Sequence, residues 1–130
     1  MKSVVVCGSK KFKDAILKFC AELENLGITV FRPNINNPQS EDKKFESAHI
    51  ARMVFKGLTL EHFDYIKKAE VCFIFNKEGY VGTSVNMEIG YANALGKPIY
   101  ALTHETGDPC SSSLIDKVAP TPTELAKLLN

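Results

Sequence analysis

The chain reads as an α/β protein, a parallel sheet of four or five strands with helices packed on both faces. Three observations carry that reading. Short apolar runs at Val4-Val5-Val6, Ile28–Phe31, Val71–Phe75 and Pro98–Leu102 alternate with segments of helical period, which is the order of a sheet built from strand-helix-strand units. The run Val71–Phe75 shows no polar alternation, as expected of a central parallel strand covered on both faces. Glycines at 27, 57 and 96 stand where helical patterns stop.

Taken in order, Ser3–Cys7 is a strand broken by Gly8-Ser9. Phe12, Ala15, Ile16, Phe19, Cys20, Leu23 and Leu26 then recur at helical spacing, and Ser9 is placed to cap that helix. Lys10, Lys11 and Lys13 put cations against the positive end of the helix dipole. Either they are simply solvated, or the Gly8-Ser9 turn and a lysine hold an anion there. After the second strand, 32–39 is polar with two prolines and is expected to be a loop that could wall a site through Arg32 or an asparagine. A helical pattern from Ser40 to Lys56 includes a structural or solvated His49 and is expected to end at Gly57, after which Thr59 caps a further helix to Ala69 with Leu60, Phe63 and Ile66 inward. A helix opened by Thr83 or Ser84 runs to Gly96. His104–Ser113 is a polar loop, 114–119 an edge strand or a connection, and Thr121-Pro122-Thr123-Glu124 a capping box that opens the last helix.

With 130 residues and 45% apolar content, the chain suits one domain spanning 1–130. Sixteen basic and fifteen acidic side chains leave a net charge of +1, which argues against binding nucleic acid by bulk electrostatics. No apolar run reaches the roughly 18 residues of a membrane span, and the start leads straight into a strand, so a soluble, cytoplasmic protein is expected. Cys7, Cys20, Cys72 and Cys110 form no close pair; three lie in apolar segments as small hydrophobes, and neither a metal nor another cofactor is expected.

The loop after Val71–Phe75 carries Gly79 and Gly82, and the helix that follows has one charge, Glu88. Open α/β sheets bind ligands at the C-terminal ends of their strands. A carboxylate near a helix start there is expected to stay ionised unless deeply desolvated, and so to be able to act as a nucleophile.

Three stretches resemble nucleoside 2-deoxyribosyltransferases and the related 2'-deoxynucleoside 5'-monophosphate N-glycosidases. Val6-Cys7-Gly8-Ser9 is similar to the loop that helps hold the 5'-phosphate. Met87-Glu88-Ile89-Gly90-Tyr91-Ala92 with Leu95-Gly96-Lys97 is similar to the segment that carries the catalytic glutamate. Ser112-Ser113-Leu114-Ile115 is similar to a segment that lends a serine to the neighbouring subunit's site, Ser112 being the match.

The resemblance implies a flavodoxin-like sandwich, a homodimer with shared sites, a small-molecule nucleoside or nucleotide substrate, and cleavage or transfer of its N-glycosidic bond. Two aspartates of the family are replaced, one by His62 and one by Gly82. His62 and Tyr80 are then the candidates for proton handling beside Glu88, with Gly8, Ser9, Lys10, Lys11, Gly82, Ser84 and Ser112 as substrate contacts. His62 is equally readable as an exposed helix histidine, Tyr80 as a cover for the sheet edge, and Ser84 as a helix cap. The alternative function is a nucleotide-binding module without catalysis.

Overall fold

A computed structural model describes residues 1–35 and 45–130. Five parallel strands, β1 (Val4–Gly8), β2 (Val30–Phe31), β3 (Val71–Phe75), β4 (Ile99–Ala101) and β5 (Lys117–Val118), form one sheet in the order β2-β1-β3-β4-β5. This is the flavodoxin-like order, whose topological switch point lies between β1 and β3. The register pairs Val4 with Val71 and Gly8 with Phe75, so the two central strands end together at the same edge.

Period-two alternation divides the core between the two faces of the sheet. Val4, Val6, Val71, Phe73 and Phe75 face α1 (Lys13–Asn25) and α5 (Pro122–Leu129), meeting Ile16, Phe19, Leu23, Leu125 and Leu129. Val5, Cys7, Cys72 and Ile74 face α2 (Ala48–Lys68) and α3 (Thr83–Ala94), meeting Ile66, Val85, Ile89 and Ala92. The Phe19 ring stacks on Phe73 at 5.0 Å. All five residues of β3 are buried, as the absence of alternation requires. Gly27 closes α1 with a φ of 85°, a left-handed turn that glycine adopts without a Cβ penalty.

The expected helix break at Gly57 does not occur. The α2 helix runs unbroken from Ala48 to Lys68, capped at its start by Ser47, whose Oγ accepts from the Ile50 N–H at 3.2 Å. Thr59 caps nothing: its hydroxyl donates back to the Phe55 carbonyl at 2.8 Å, as a threonine inside a helix can. One glycine in a helix costs only about 1 kcal/mol, which burial of the inward face readily exceeds. The continuous helix also resets that face. His62 and Ile66 point in while Leu60 is 54% exposed, not inward as its hydrophobicity suggested.

Smaller differences lie at element ends. Ser9 caps a single 3-10 turn, Lys10–Phe12, ahead of α1, accepting from the Lys11 N–H at 3.2 Å. The loop expected at 104–113 contains a short helix, α4 (Pro109–Ser112), and 114–119 includes the edge strand β5. The helix start expected at Ser40 and the second half of the 32–39 loop fall at 36–44, outside the described residues. No helix among the described residues is long and apolar enough to cross a membrane.

Candidate active site at the ends of β1 and β3

A cavity of about 250 Å³ opens where the switch point places it. Its walls come from the turn Gly8-Ser9-Lys10, from Pro33, Asn34 and Ile35 after β2, from Leu58, Thr59 and His62 on α2, and from the start of α3 between Gly82 and Glu88. Three consecutive crossovers thus deliver one wall each, although their residues are far apart in the chain.

Glu88 and His62 meet in that wall. The Glu88 Oε2 lies 3.3 Å from the His62 Nε2, with side chains 13% and 11% exposed. Behind them the Cys7 Sγ, on the inward face of β1, is 3.2 Å from the same Nε2 and 3.6 Å from the Cys72 Sγ on β3.

The condition attached to an ionised Glu88, that it escape deep desolvation, is not met. Glu88 is the sixth residue of α3, beyond the first turn where the dipole acts most strongly. Desolvation prevails and pushes its carboxyl up to about 8. Burial also holds His62 down at about 4. With both shifts caused by burial, the 3.3 Å contact at pH 7 is between a carboxylic acid and an uncharged imidazole rather than an ion pair. The Cys7 thiol, raised by the hydrogen bond to Cys72 and by burial, is also protonated.

The other candidates separate. Gly8, Ser9, Lys10, Gly82 and Ser84 all line the cavity. Gly8 has a packing reason to be glycine as well, since a Cβ there would come within 2.6 Å of the Ile16 side chain. Ser84 is not the helix cap: Gly82 holds that place without a side-chain bond, and Ser84 sits inside α3 facing the cavity. His62 is buried, which removes the reading of an exposed helix histidine.

Lys11 and Tyr80 do not reach the cavity. The 3-10 turn Lys77–Gly79, with Glu78 at a φ of 59°, carries Tyr80 toward the α1 side of the sheet. There its ring meets Phe12 edge-on at 6.0 Å, and the Lys11 ammonium lies 4.5 Å from its centre. Arg32 is held by Glu24 through its guanidinium, away from the cavity. Ser112 is drawn into the loop after β4, where its hydroxyl accepts from the Thr106 N–H at 3.0 Å.

Two residues of this region were not singled out from the sequence. Cys7 looked like a small hydrophobe, although alternation along β1 puts it with Val5 on the face that α2 and α3 cover. Asn76, just past β3, is fully buried and binds the loop after β4. Its position at the end of a buried strand was the available signal.

No family model and no curated protein matches the chain. Solved structures do. A 2-deoxyribosyltransferase from Bacillus psychrosaccharolyticus superposes with a TM-score of 0.62 at 24% identity, over 95% of this chain and 89% of that one. A conserved protein from Enterococcus faecalis V583 superposes with a TM-score of 0.58 at 15% identity, over 98% and 96%. At such identities the likeness establishes a shared fold.

Proposed function

We propose that this chain cleaves the N-glycosidic bond of a nucleoside or its 5'-monophosphate, with Glu88 as the nucleophile and His62 as the proton carrier. The observation that carries the reading is the 3.3 Å contact between these two side chains in the wall of a cavity at the switch point. The resemblance of the segment around Glu88 to deoxyribosyltransferases, and the fold shared with one, support glycosyl transfer as the reaction class.

In the resting state the carboxyl proton of Glu88 faces the His62 Nε2. As the anomeric carbon approaches, this proton passes to His62, and the carboxylate attacks while the bond to the base breaks through an oxocarbenium-like transition state. His62 then gives the proton to the departing base, leaving a glycosyl ester on Glu88. Water or a second base attacks the ester and restores the carboxyl group. Burial, which disfavours the separated charges in the empty site, matters less once a positive sugar ring lies against the carboxylate.

Ser9, Lys10 and the backbone of their turn would hold a 5'-phosphate at the far end of the cavity, with Ser84 beside the sugar. We take the working unit to be a homodimer of single-domain chains, with Ser112 contributing at the neighbour's site.

One observation favours a second reading, a nucleotide-binding module without turnover: a Glu88 neutral at pH 7 does not repel a phosphate. The same experiment separates the two. Each deoxynucleoside and its monophosphate is incubated with the protein, and free base is followed by chromatography. Catalysis predicts release that falls at least about a thousandfold in Glu88→Gln. Tight binding with no release supports the module, and release undiminished in the variant removes Glu88 from the mechanism.

A further inference from the structure

Glycosyl transfer accounts for Glu88 and His62 but gives no work to Cys7, a buried thiol that points at the same imidazole nitrogen. We propose that Cys7, His62 and Glu88 form a Zn²⁺ site with three protein ligands, whose fourth position opens into the cavity.

The geometry is close to what the ion needs. With Zn–S near 2.3 Å, and Zn–N and Zn–O each roughly 2.1 Å, tetrahedral angles set N···S at about 3.6 Å and N···O at about 3.4 Å. Here the His62 Nε2 is 3.2 Å from the Cys7 Sγ and 3.3 Å from the Glu88 Oε2. All three donor atoms lie within 4.8 Å of one another. The two contacts to the imidazole nitrogen therefore need to open by only a few tenths of an ångström, and the Cys7 to Glu88 separation, which the same geometry sets at about 3.6 Å, lies within 4.8 Å.

The donor set suits the metal. Thiolate, imidazole and carboxylate are the three ligand types that zinc accepts, and the thiolate disfavours the hard cations magnesium and calcium. Each donor stands on a different regular element, β1, α2 and α3, so that the site is held by the fold rather than by a loop. Cys7 and His62 are buried, whereas Glu88 and His62 border the cavity. The Cys72 thiol, 3.6 Å behind Cys7, can donate to a bound thiolate and steady it.

Binding forms one bond from zinc to each of sulfur, nitrogen and oxygen, and expels the protons of Cys7 and Glu88. The dication and two anionic ligands then sum to zero charge, which a buried site tolerates far better than a lone charge. The site does not depend on the glycosyl-transfer reading. Where that reading holds, zinc and the sugar compete for Glu88, and zinc inhibits base release.

The test uses the full chain stripped with a chelator and titrated with Co²⁺ as a spectroscopic probe and with Zn²⁺ by calorimetry. The expected result is one ion per chain, a sulfur-to-cobalt charge-transfer band in the near ultraviolet, and visible bands of tetrahedral intensity. Cys7→Ser should abolish the charge-transfer band, and Cys110→Ser should leave it. Glu88→Gln should keep the band but weaken Zn²⁺ at least about tenfold, and because it changes only the cavity wall it preserves the test if Cys7→Ser does not fold. No band in the parent chain, a band lost with Cys110 instead of Cys7, or unchanged affinity in Glu88→Gln would each overturn the site. Base release by the metal-free protein is measured separately, so that failure of one idea leaves the other standing.

Discussion

Two buried polar assemblies sit at the same edge of the sheet, and they are built on opposite terms. Past β3, the Asn76 amide nitrogen donates to the carbonyls of Thr103 at 2.9 Å and Glu105 at 2.6 Å. Its oxygen accepts from the N–H groups of Leu102 at 3.0 Å and Thr103 at 3.2 Å. Farther along that loop the Thr106 hydroxyl, also buried, meets the oxygens of Ser111, Ser112 and Asp108. The groups joined by these hydrogen bonds are amides, carbonyls and hydroxyls, none of them ionisable, and every hydrogen-bonding position of the Asn76 amide is used. At the ends of β1 and β3, Cys7 and Glu88 crowd against one nitrogen of His62, bringing three titratable groups together beside an open cavity. The first arrangement is what a fold needs in order to bury polar atoms. The second costs stability in the charged states, and perturbed groups of that kind cluster at functional sites.

This contrast can be broken from either side. The largest expected effect is on stability at alkaline pH. Because burial raises the Glu88 carboxyl from its ordinary value near 4.5 to about 8, the unfolded chain gives up that proton first. Folding stability therefore falls as pH rises through this window, by roughly 5 kcal/mol at most. Glu88→Gln removes the loss: denaturant midpoints of variant and parent should coincide near pH 4.5 and separate in the variant's favour by pH 9. His62 works in the opposite direction, its lowered value withdrawing stability as pH falls from 6.5 toward 4, and the variant should keep that limb. A parent curve flat from pH 6.5 to 9, above the His62 limb, would show that the carboxyl is not desolvated.

Somewhat smaller is the effect of Asn76→Ala, which leaves two carbonyls and two N–H groups of a part-buried loop without their partner and should lower stability by roughly 3 kcal/mol with little change at the cavity. Asn76→Asp sharpens the point, since a carboxylate can still accept from Leu102 and Thr103 but cannot donate to the carbonyls. Chemical denaturation of both variants checks the order, Asn76→Ala and Asn76→Asp each below the parent. The smallest effect is on rate. His62→Gln should slow base release by about a hundredfold, the scale of a single proton-transfer catalyst. In the parent, release should be confined between limbs near pH 4 and pH 8, where the pair holds one exchangeable proton. A profile that simply rises through pH 8 would mean that Glu88 attacks without help from His62.

The alternation of strands and helices, the central place of β3 and the last helix with its capping box were all legible in the residues, because each depends on local periodicity and on turn chemistry. Glu88 was legible too, as the sole charge in α3. Its charge state was not. Neither was the inward turn of His62, which depends on whether α2 continues through Gly57, a contest between a local cost of about 1 kcal/mol and burial that only the packed sheet supplies.

By itself, then, the sequence determined the layers of this protein and the carboxyl group at their mouth, since periodicity and propensity act within a few residues. Tertiary structure alone decided that Cys7, His62 and Glu88 share one buried corner, that Tyr80 faces away from it, and that Glu88 rests protonated. Desolvation belongs to the folded surroundings of a group, and no reading of its neighbours along the chain contains it.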